Sequence, residues 1–324
     1  MTLLSVKDLS IGYETKNGVI KAVDNISFDL QKGRPLGFVG ESGCGKTTIG
    51  MTLMGLLPDN AILLSGSIEF GGRDLALLNE AQWRSVRGKD IAMIFQAAMN
   101  ALNPVYRVDD QIKEAIVTHD PDISDNDLNR RVRELFELVE IPRERIHDYP
   151  HEYSGGMKQR VIIAMALACS PQIIIADEPT TALDVIVQDQ ILKGLKAIQT
   201  QMDTGLIFIS HDIAVVASVC DEICVMYGGQ IVETGRTKEV FSSPRHPYTR
   251  TLLGSYLSLD NEAHIVVPEM REMPDLTMDT GGCRFSVNCQ VCAEACKRVN
   301  PRWIEISSTH KALCCDKGLA KDTP

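Results

Sequence analysis

One run of the chain, Gly40-Glu41-Ser42-Gly43-Cys44-Gly45-Lys46-Thr47, matches G-x-x-x-x-G-K-[ST] in full and constrains the fold more than any other feature. It follows an apolar strand, Leu36 to Val39, and opens a helix read over 46–57. That strand–loop–helix context is what the motif requires. Its glycines let the backbone fold tightly, with amide N–H groups turned inward around phosphate oxygens. Lys46 is spaced to reach the β- and γ-phosphates of a nucleotide, and the Thr47 hydroxyl to ligate Mg²⁺. The helix N-terminus adds positive potential. A second run, Ile173-Ile174-Ile175-Ala176-Asp177-Glu178, is an apolar strand ending in two carboxylates. Ligands of α/β sheets sit at such strand ends. Asp177 suits a Mg²⁺ role and Glu178 suits polarising an attacking water.

Alone, these runs indicate a P-loop nucleotide hydrolase. Ser154-Gly155-Gly156-Met157-Lys158-Gln159-Arg160, just before the second acidic strand, narrows the reading. It resembles the signature motif of ATP-binding cassette (ABC) proteins. The stretch from about residue 1 to 240 resembles an ABC nucleotide-binding domain with its motifs in order. The resemblance implies that Tyr13 stacks on adenine and that Gly40, Ser42, Gly43, Cys44, Gly45, Lys46, Thr47 and Thr48 surround the nucleotide. It makes Gln96 the Q-loop glutamine, Ala182-Leu183-Asp184 the D-loop and His211 the switch histidine. Glu178, His211 and Gln96 become catalytic, with Thr47, Gln96 and Asp177 about Mg²⁺. Ser154, Gly155, Gly156 and Asp184 would meet a nucleotide held by another subunit. ATP in this family lies between the P-loop of one domain and the signature of another. One copy of each per chain therefore implies a second ATPase subunit. Tyr153 and Met157 stand where Leu and Gln are most common, and neither removes a backbone donor. Cys44 occupies a variable position, where a thiol either fills a small space or makes binding sensitive to oxidation.

Three further features resemble the ATPases of dipeptide, oligopeptide and nickel importers: Gly40 to Gly43, Ala101-Leu102-Asn103-Pro104 after the Q-loop, and the "HPYT" run in Pro244-Arg245-His246-Pro247-Tyr248-Thr249. The last is expected to be structural. Ala97-Ala98 departs from the acidic or Pro residue common after the Q-loop glutamine, on a segment that faces the permease in the family. The resemblance implies an ATPase energising uptake of di- or oligopeptides, or of nickel or a metallophore. Its partners would be a paralogous ATPase in a heterodimer, two separate permeases and an extracytoplasmic binding protein, at the cytoplasmic face of the membrane.

Of ten cysteines, six lie within 283–315. The start Gly282-Cys283-Arg284-Phe285 and the spacing Cys283, Cys289, Cys296, Cys314 resemble the extension of dipeptide-importer ATPases, where four such cysteines are associated with a [4Fe–4S] cluster. Four thiolates also suit tetrahedral zinc, or stay as reduced thiols without metal. Cys292 and Cys315 leave the ligand set open. Disulfides are disfavoured in a cytosolic setting.

Composition serves mainly to exclude. A net charge of −10 speaks against binding DNA by phosphate neutralisation. The densest apolar run, Val161 to Cys169, is about half a membrane span and reads as a buried helix. Met1 to Leu9 has no basic region followed by an apolar stretch, so a cytosolic chain is expected. Neither a second cassette nor a long coiled-coil insertion accompanies the motifs, which speaks against a DNA-repair or translation role. Leu4 to Leu9, Val19 to Leu30 and Gly66 to Phe70 read as strands, which the ABC resemblance implies form an antiparallel β subdomain. Helical spacing of Leu128, Val132, Leu135, Phe136 and Val139 marks a helical subdomain inserted into the core. Helix and strand then alternate over 155–210, as in a parallel sheet. The expected class is α/β: a RecA-like P-loop core over 1–241, a helical subdomain at about 97–160, and a small Cys-rich extension over 242–324.

Overall fold

The computed structural model describes residues 1–96, 101–181, 183–257, 276, 281–291 and 294–315. They form two compact units: one of Met1, Gln31–Gly33 and Leu77–Phe208, the other of Thr2–Leu30, Arg34–Ala76 and the chain from Ile209 on.

In the first unit, strands β6 (Ile91–Ile94) and β7 (Ile173–Asp177) pair in parallel, and β8 (Gly205–Ser210), where the unit ends, lies beside β7. Every residue of β7 is buried, as expected of a strand covered on both faces. Its helices are α2 (Glu80–Val86), α3 (Val108–His119), α4 (Asp125–Leu138), α5 (Gly155–Ala166) and α6 (Val185–Met202). Asp120-Pro121 separates α3 from α4, because proline disfavours helix in the residue before it. Ser124 caps α4 by accepting the Asp127 N–H, and Val132, Leu135 and Phe136 are its buried stripe.

In the second unit, β1 (Thr2–Thr15), β2 (Gly18–Gln31), β4 (Ala61–Phe70) and β5 (Arg73–Asp74) form a sheet ordered β2-β1-β4-β5. β1 runs well past the expected Leu9 because a bulge at Lys7–Ser10 shifts its register against β4 and interrupts the alternation. Gly66 faces that bulge, where a Cβ would stand 2.5 Å from Leu9 Cα. β3 (Leu36–Val39) runs parallel to β9 (Glu222–Tyr227). Beyond β9 come β10 (Gln230–Arg236), β12 (Lys311–Cys314) and β11 (Arg302–Glu305), each antiparallel to its neighbour. Helices α1 (Lys46–Leu53), α7 (Ile213–Val219), α8 (Thr237–Ser242) and α9 (Pro247–Leu257) complete this unit. α1 stops short of the expected residue 57 because Gly55 turns left-handed at φ 60°. Among the described residues no helix is long and apolar enough to cross a membrane.

Candidate functional site

The phosphate loop lies between β3 and α1. Gly40 and Gly45 take φ of 158° and 103°, and both are tightly enclosed. A Cβ on Gly40 would sit 2.2 Å from the Met226 carbonyl oxygen, and one on Gly45 2.3 Å from that of Ala22. Only glycine fits at either place. Lys46 is buried, and its ammonium donates to the carbonyls of Gly40 (2.7 Å) and Glu41 (2.8 Å). No side chain caps α1 at Gly45, and Ser42, Gly43 and Thr47 are exposed. The Tyr13 hydroxyl lies 3.2 Å from Thr48 Oγ1, which brings the expected adenine-stacking ring to the start of α1. Cys44 is fully buried, and burial, partly offset by Lys46, pushes its thiol up. An enclosed thiol with a raised pKa is a poor target for oxidants, which favours the space-filling reading over the redox one. His211 is exposed at the end of β8, where Asp212 caps α7 through the Ala214 and Val215 N–H groups.

In the other unit, Asp177 ends β7 and is almost fully buried. Glu178, the next residue, is in the left-handed region at φ 46°. Such backbone costs a non-glycine residue roughly 1 kcal/mol or more and persists where surrounding structure holds it. Its Oε2 accepts Gln96 Nε2 at 2.7 Å and Thr181 Oγ1 at 3.1 Å. The expected general base and the Q-loop glutamine are thus in direct contact. Thr181 escaped sequence reasoning; its place three residues after the acid is the available signal. Ala97 and Ala98 lie outside the described residues. In the loop that follows, Gln111 donates to the Asn103 and Tyr106 carbonyls and accepts the Asn103 N–H, holding Val105 and Tyr106 out to solvent.

Ser154 caps α5 by accepting the Met157 N–H, and both it and Gly155 are exposed. Gly156 is needed for packing, since a Cβ there would lie 2.7 Å from Val187 Cγ1 on α6. The unusual Tyr153 is buried, its hydroxyl on the Arg145 carbonyl and its ring under that residue's guanidinium. Asp184 caps α6 through the Val187 N–H, and Ala182 lies outside the described residues.

The element around Tyr248 is built on Glu233 of β10, which is completely buried. Its carboxylate accepts the N–H groups of Arg245 and His246, both at 2.8 Å, and meets His310 Nε2 at 2.7 Å. Burial drives the His246 imidazole down to about 4, against an upward pull from Glu233, so the ring is neutral near pH 7. Neutral Nδ1 accepts the Tyr248 N–H at 3.1 Å.

Beyond it lie the cysteines. Cys296 and Cys314 are buried, Cys283 and Cys289 half-buried, and the Cys283 N–H donates to the Cys296 carbonyl at 2.8 Å. Burial pushes Cys283 up to about 11 and Cys314 up to about 12, and each also feels Cys289 and Cys296. Cys292 lies outside the described residues. Among the described residues, however, no three His, Cys, Asp or Glu side chains form a group that could hold a metal, so the expected four-cysteine ligand set is not assembled. Arg284 donates to the Gly228 carbonyl and pairs with Asp24 at 2.6 Å, tying this module to β2 and the β9–β10 turn.

Two family models match the chain. The ABC transporter model matches residues 23–181, and that for the oligopeptide/dipeptide transporter C-terminal region matches 232–296. The chain is 45% identical over 315 residues to a Bacillus subtilis dipeptide transport ATP-binding protein, covering 96% of this chain and 94% of that one. It is also 45% identical to an oligopeptide transport ATP-binding protein of the same organism, covering 95% and 87%. Among solved structures, a dimeric bacterial ABC transporter cassette matches with TM-score 0.65 over 72% of this chain and 99% of its own; at 24% identity it speaks to the fold alone. The structure of cbiO1 of Clostridium perfringens, part of an ABC transporter complex, matches with TM-score 0.65 at 26% identity over 80% of this chain and 95% of that one. The chain belongs to the ABC transporter family, as an ATP-hydrolysing subunit that carries the oligopeptide/dipeptide transporter C-terminal region.

Proposed function

We propose that this chain is the ATPase subunit of an importer that energises uptake of di- and oligopeptides through separate permease subunits. The observation that carries the reading is that its likeness to dipeptide and oligopeptide transport ATP-binding proteins runs through the C-terminal region as well as the cassette. Water attacks the γ-phosphate in line. Lys46 and the loop amides hold the phosphates, Tyr13 holds the base, and Glu178 orients the water with Gln96 and His211. Thr47, Asp177 and Gln96 offer oxygen donors of the kind Mg²⁺ takes, and the ion would neutralise charge on the phosphates. Ser154, Gly155, Gly156 and Asp184 serve nucleotide held by a paralogous second ATPase. Residues 1–241 act as the nucleotide-binding domain, with its helical subdomain at about 97–160. The subunit works peripherally, at the cytoplasmic face of the membrane, below two permeases fed by an extracytoplasmic binding protein. Val105 and Tyr106, held out by Gln111, suit a permease contact.

The test is reconstitution of the whole transporter in lipid. Peptide-loaded binding protein should stimulate ATP hydrolysis, and Lys46→Ala should abolish it. Stimulation by a nickel-loaded binding protein alone would overturn the peptide assignment.

We also propose that the cysteine module binds metal, preferentially as a [4Fe–4S] cluster on Cys283, Cys289, Cys296 and Cys314. The support is that the spacing of these cysteines resembles that of the dipeptide-importer extension and that all four are at least half-buried in one small module; to ligate a cluster their side chains would have to turn toward one another. Anaerobic purification should yield a broad band near 400 nm and roughly four irons per chain. One zinc would replace the cluster with a tetrahedral clip, and neither metal would sink the proposal.

A further inference from the structure

The HPYT run has a role in the site that its sequence does not disclose. Tyr248, near the start of α9, is fully buried, and its hydroxyl accepts the Glu41 N–H of the phosphate loop at 3.0 Å. The peptide plane joining Gly40 to Glu41 is thereby held at both ends: its N–H by Tyr248, its carbonyl by Lys46 at 2.7 Å. Gly40 is the permissive residue next to that plane. With one end released, the plane can rotate and take the Lys46 anchor with it.

Tyr248 itself is firmly seated. Glu233 fixes the two N–H groups before α9, and His246 fixes the Tyr248 N–H. The ring packs on Tyr227 at 4.8 Å and on Phe285 of the cysteine module at 5.6 Å between centroids. Phe285 also meets Tyr227 edge-on at 5.0 Å, and Asn288 of the same module donates to the Tyr227 hydroxyl at 3.0 Å. A second route arrives beside the loop: Arg284 holds the Gly228 carbonyl, and the next N–H, that of Gly229, donates to the Cys44 carbonyl at 3.1 Å.

We propose that Tyr248 is a positioning residue for nucleotide, through which the C-terminal element sets the phosphate loop and hence ATP affinity. The inference rests on Gly40–Thr47 being the nucleotide site, and Lys46→Ala tests that premise separately.

The experiment uses the full chain. It measures MgATP dissociation constants by displacement of a fluorescent nucleotide, thermal midpoints without nucleotide, and KM against kcat. Tyr248→Phe removes only the hydroxyl and keeps the ring in its cluster. Loss of one such hydrogen bond should raise Kd and KM by about 3–10-fold and leave kcat within about twofold. Tyr227→Phe removes a hydroxyl from the same cluster that holds Asn288 rather than the loop, and should leave Kd unchanged. A general packing effect would move both variants alike and overturn the proposal. So would an unchanged Kd in Tyr248→Phe while Lys46→Ala binds nothing. If Lys46→Ala binds normally, the premise has failed instead. Amide hydrogen exchange on the wild-type chain supplies an independent reading. The Glu41 N–H should exchange slowly without nucleotide, and rapid exchange there would also overturn the assignment.

Discussion

Replacing Glu178 by glutamine is expected to lower ATP hydrolysis by about 10²–10⁴-fold, the range for loss of a positioned general base, with MgATP binding retained. The side chain keeps its length, so an amide oxygen remains available to the Gln96 and Thr181 donors that hold Oε2. What disappears is the carboxylate's capacity to polarise water. Binding and turnover should therefore separate: nucleotide affinity near wild type, steady-state hydrolysis almost absent, and ATP retained long enough to trap paired ATPase subunits. Hydrolysis within tenfold of wild type would remove Glu178 from the role of base. The left-handed backbone at this residue favours the assignment, because strain of that kind is kept where a side chain must point in one direction.

The second large effect concerns stability. Glu233→Ala should destabilise the chain by about 3–5 kcal/mol, the cost of stripping a buried, hydrogen-bonded charge from its partners. Three donors converge on the carboxylate, and alanine leaves two buried backbone N–H groups and an imidazole nitrogen without it. For a chain of this size the thermal midpoint should fall by about 4–7 °C. Glu233→Gln should fall in between, since its amide NH₂ must face a donor. ATP affinity should weaken in either variant that folds, because Tyr248 stands on the same support. A midpoint within 2 °C of wild type would mean that solvent or neighbouring groups replace the carboxylate easily.

Local sequence carries most of this site. The phosphate loop, the acidic strand end and the signature helix each occupy one continuous run, and short-range sterics with periodic burial set their shape. Pairs brought together over long separations are another matter. Nothing near Gln96 announces Glu178, 82 residues on, and nothing near Glu41 announces Tyr248, 207 residues on. Both contacts depend on tertiary packing. β1 shows a different failure: the bulge at Lys7–Ser10 breaks the two-residue period, so alternation reveals only part of a strand that continues to Thr15. In the cysteine module the resemblance implies four ligands, whereas among the described residues no three of these side chains form a group that could hold a metal. Spacing constrains which residues come close and leaves their orientation open.

The pairing of β12 with β10 gives the order of synthesis a meaning. β10 leaves the ribosome with one edge unpaired and with Glu233 already committed to the interior, while His310, the imidazole that meets it, is 77 residues away. During that interval the nascent chain has a bare strand edge and an acid without its final neighbour, the combination that invites mispairing with other chains. When β12 pairs with β10, the outer edge passes to β11, a strand of only four residues with Arg302 and Glu305 at its ends, the short, charged kind of edge that resists pairing with other chains.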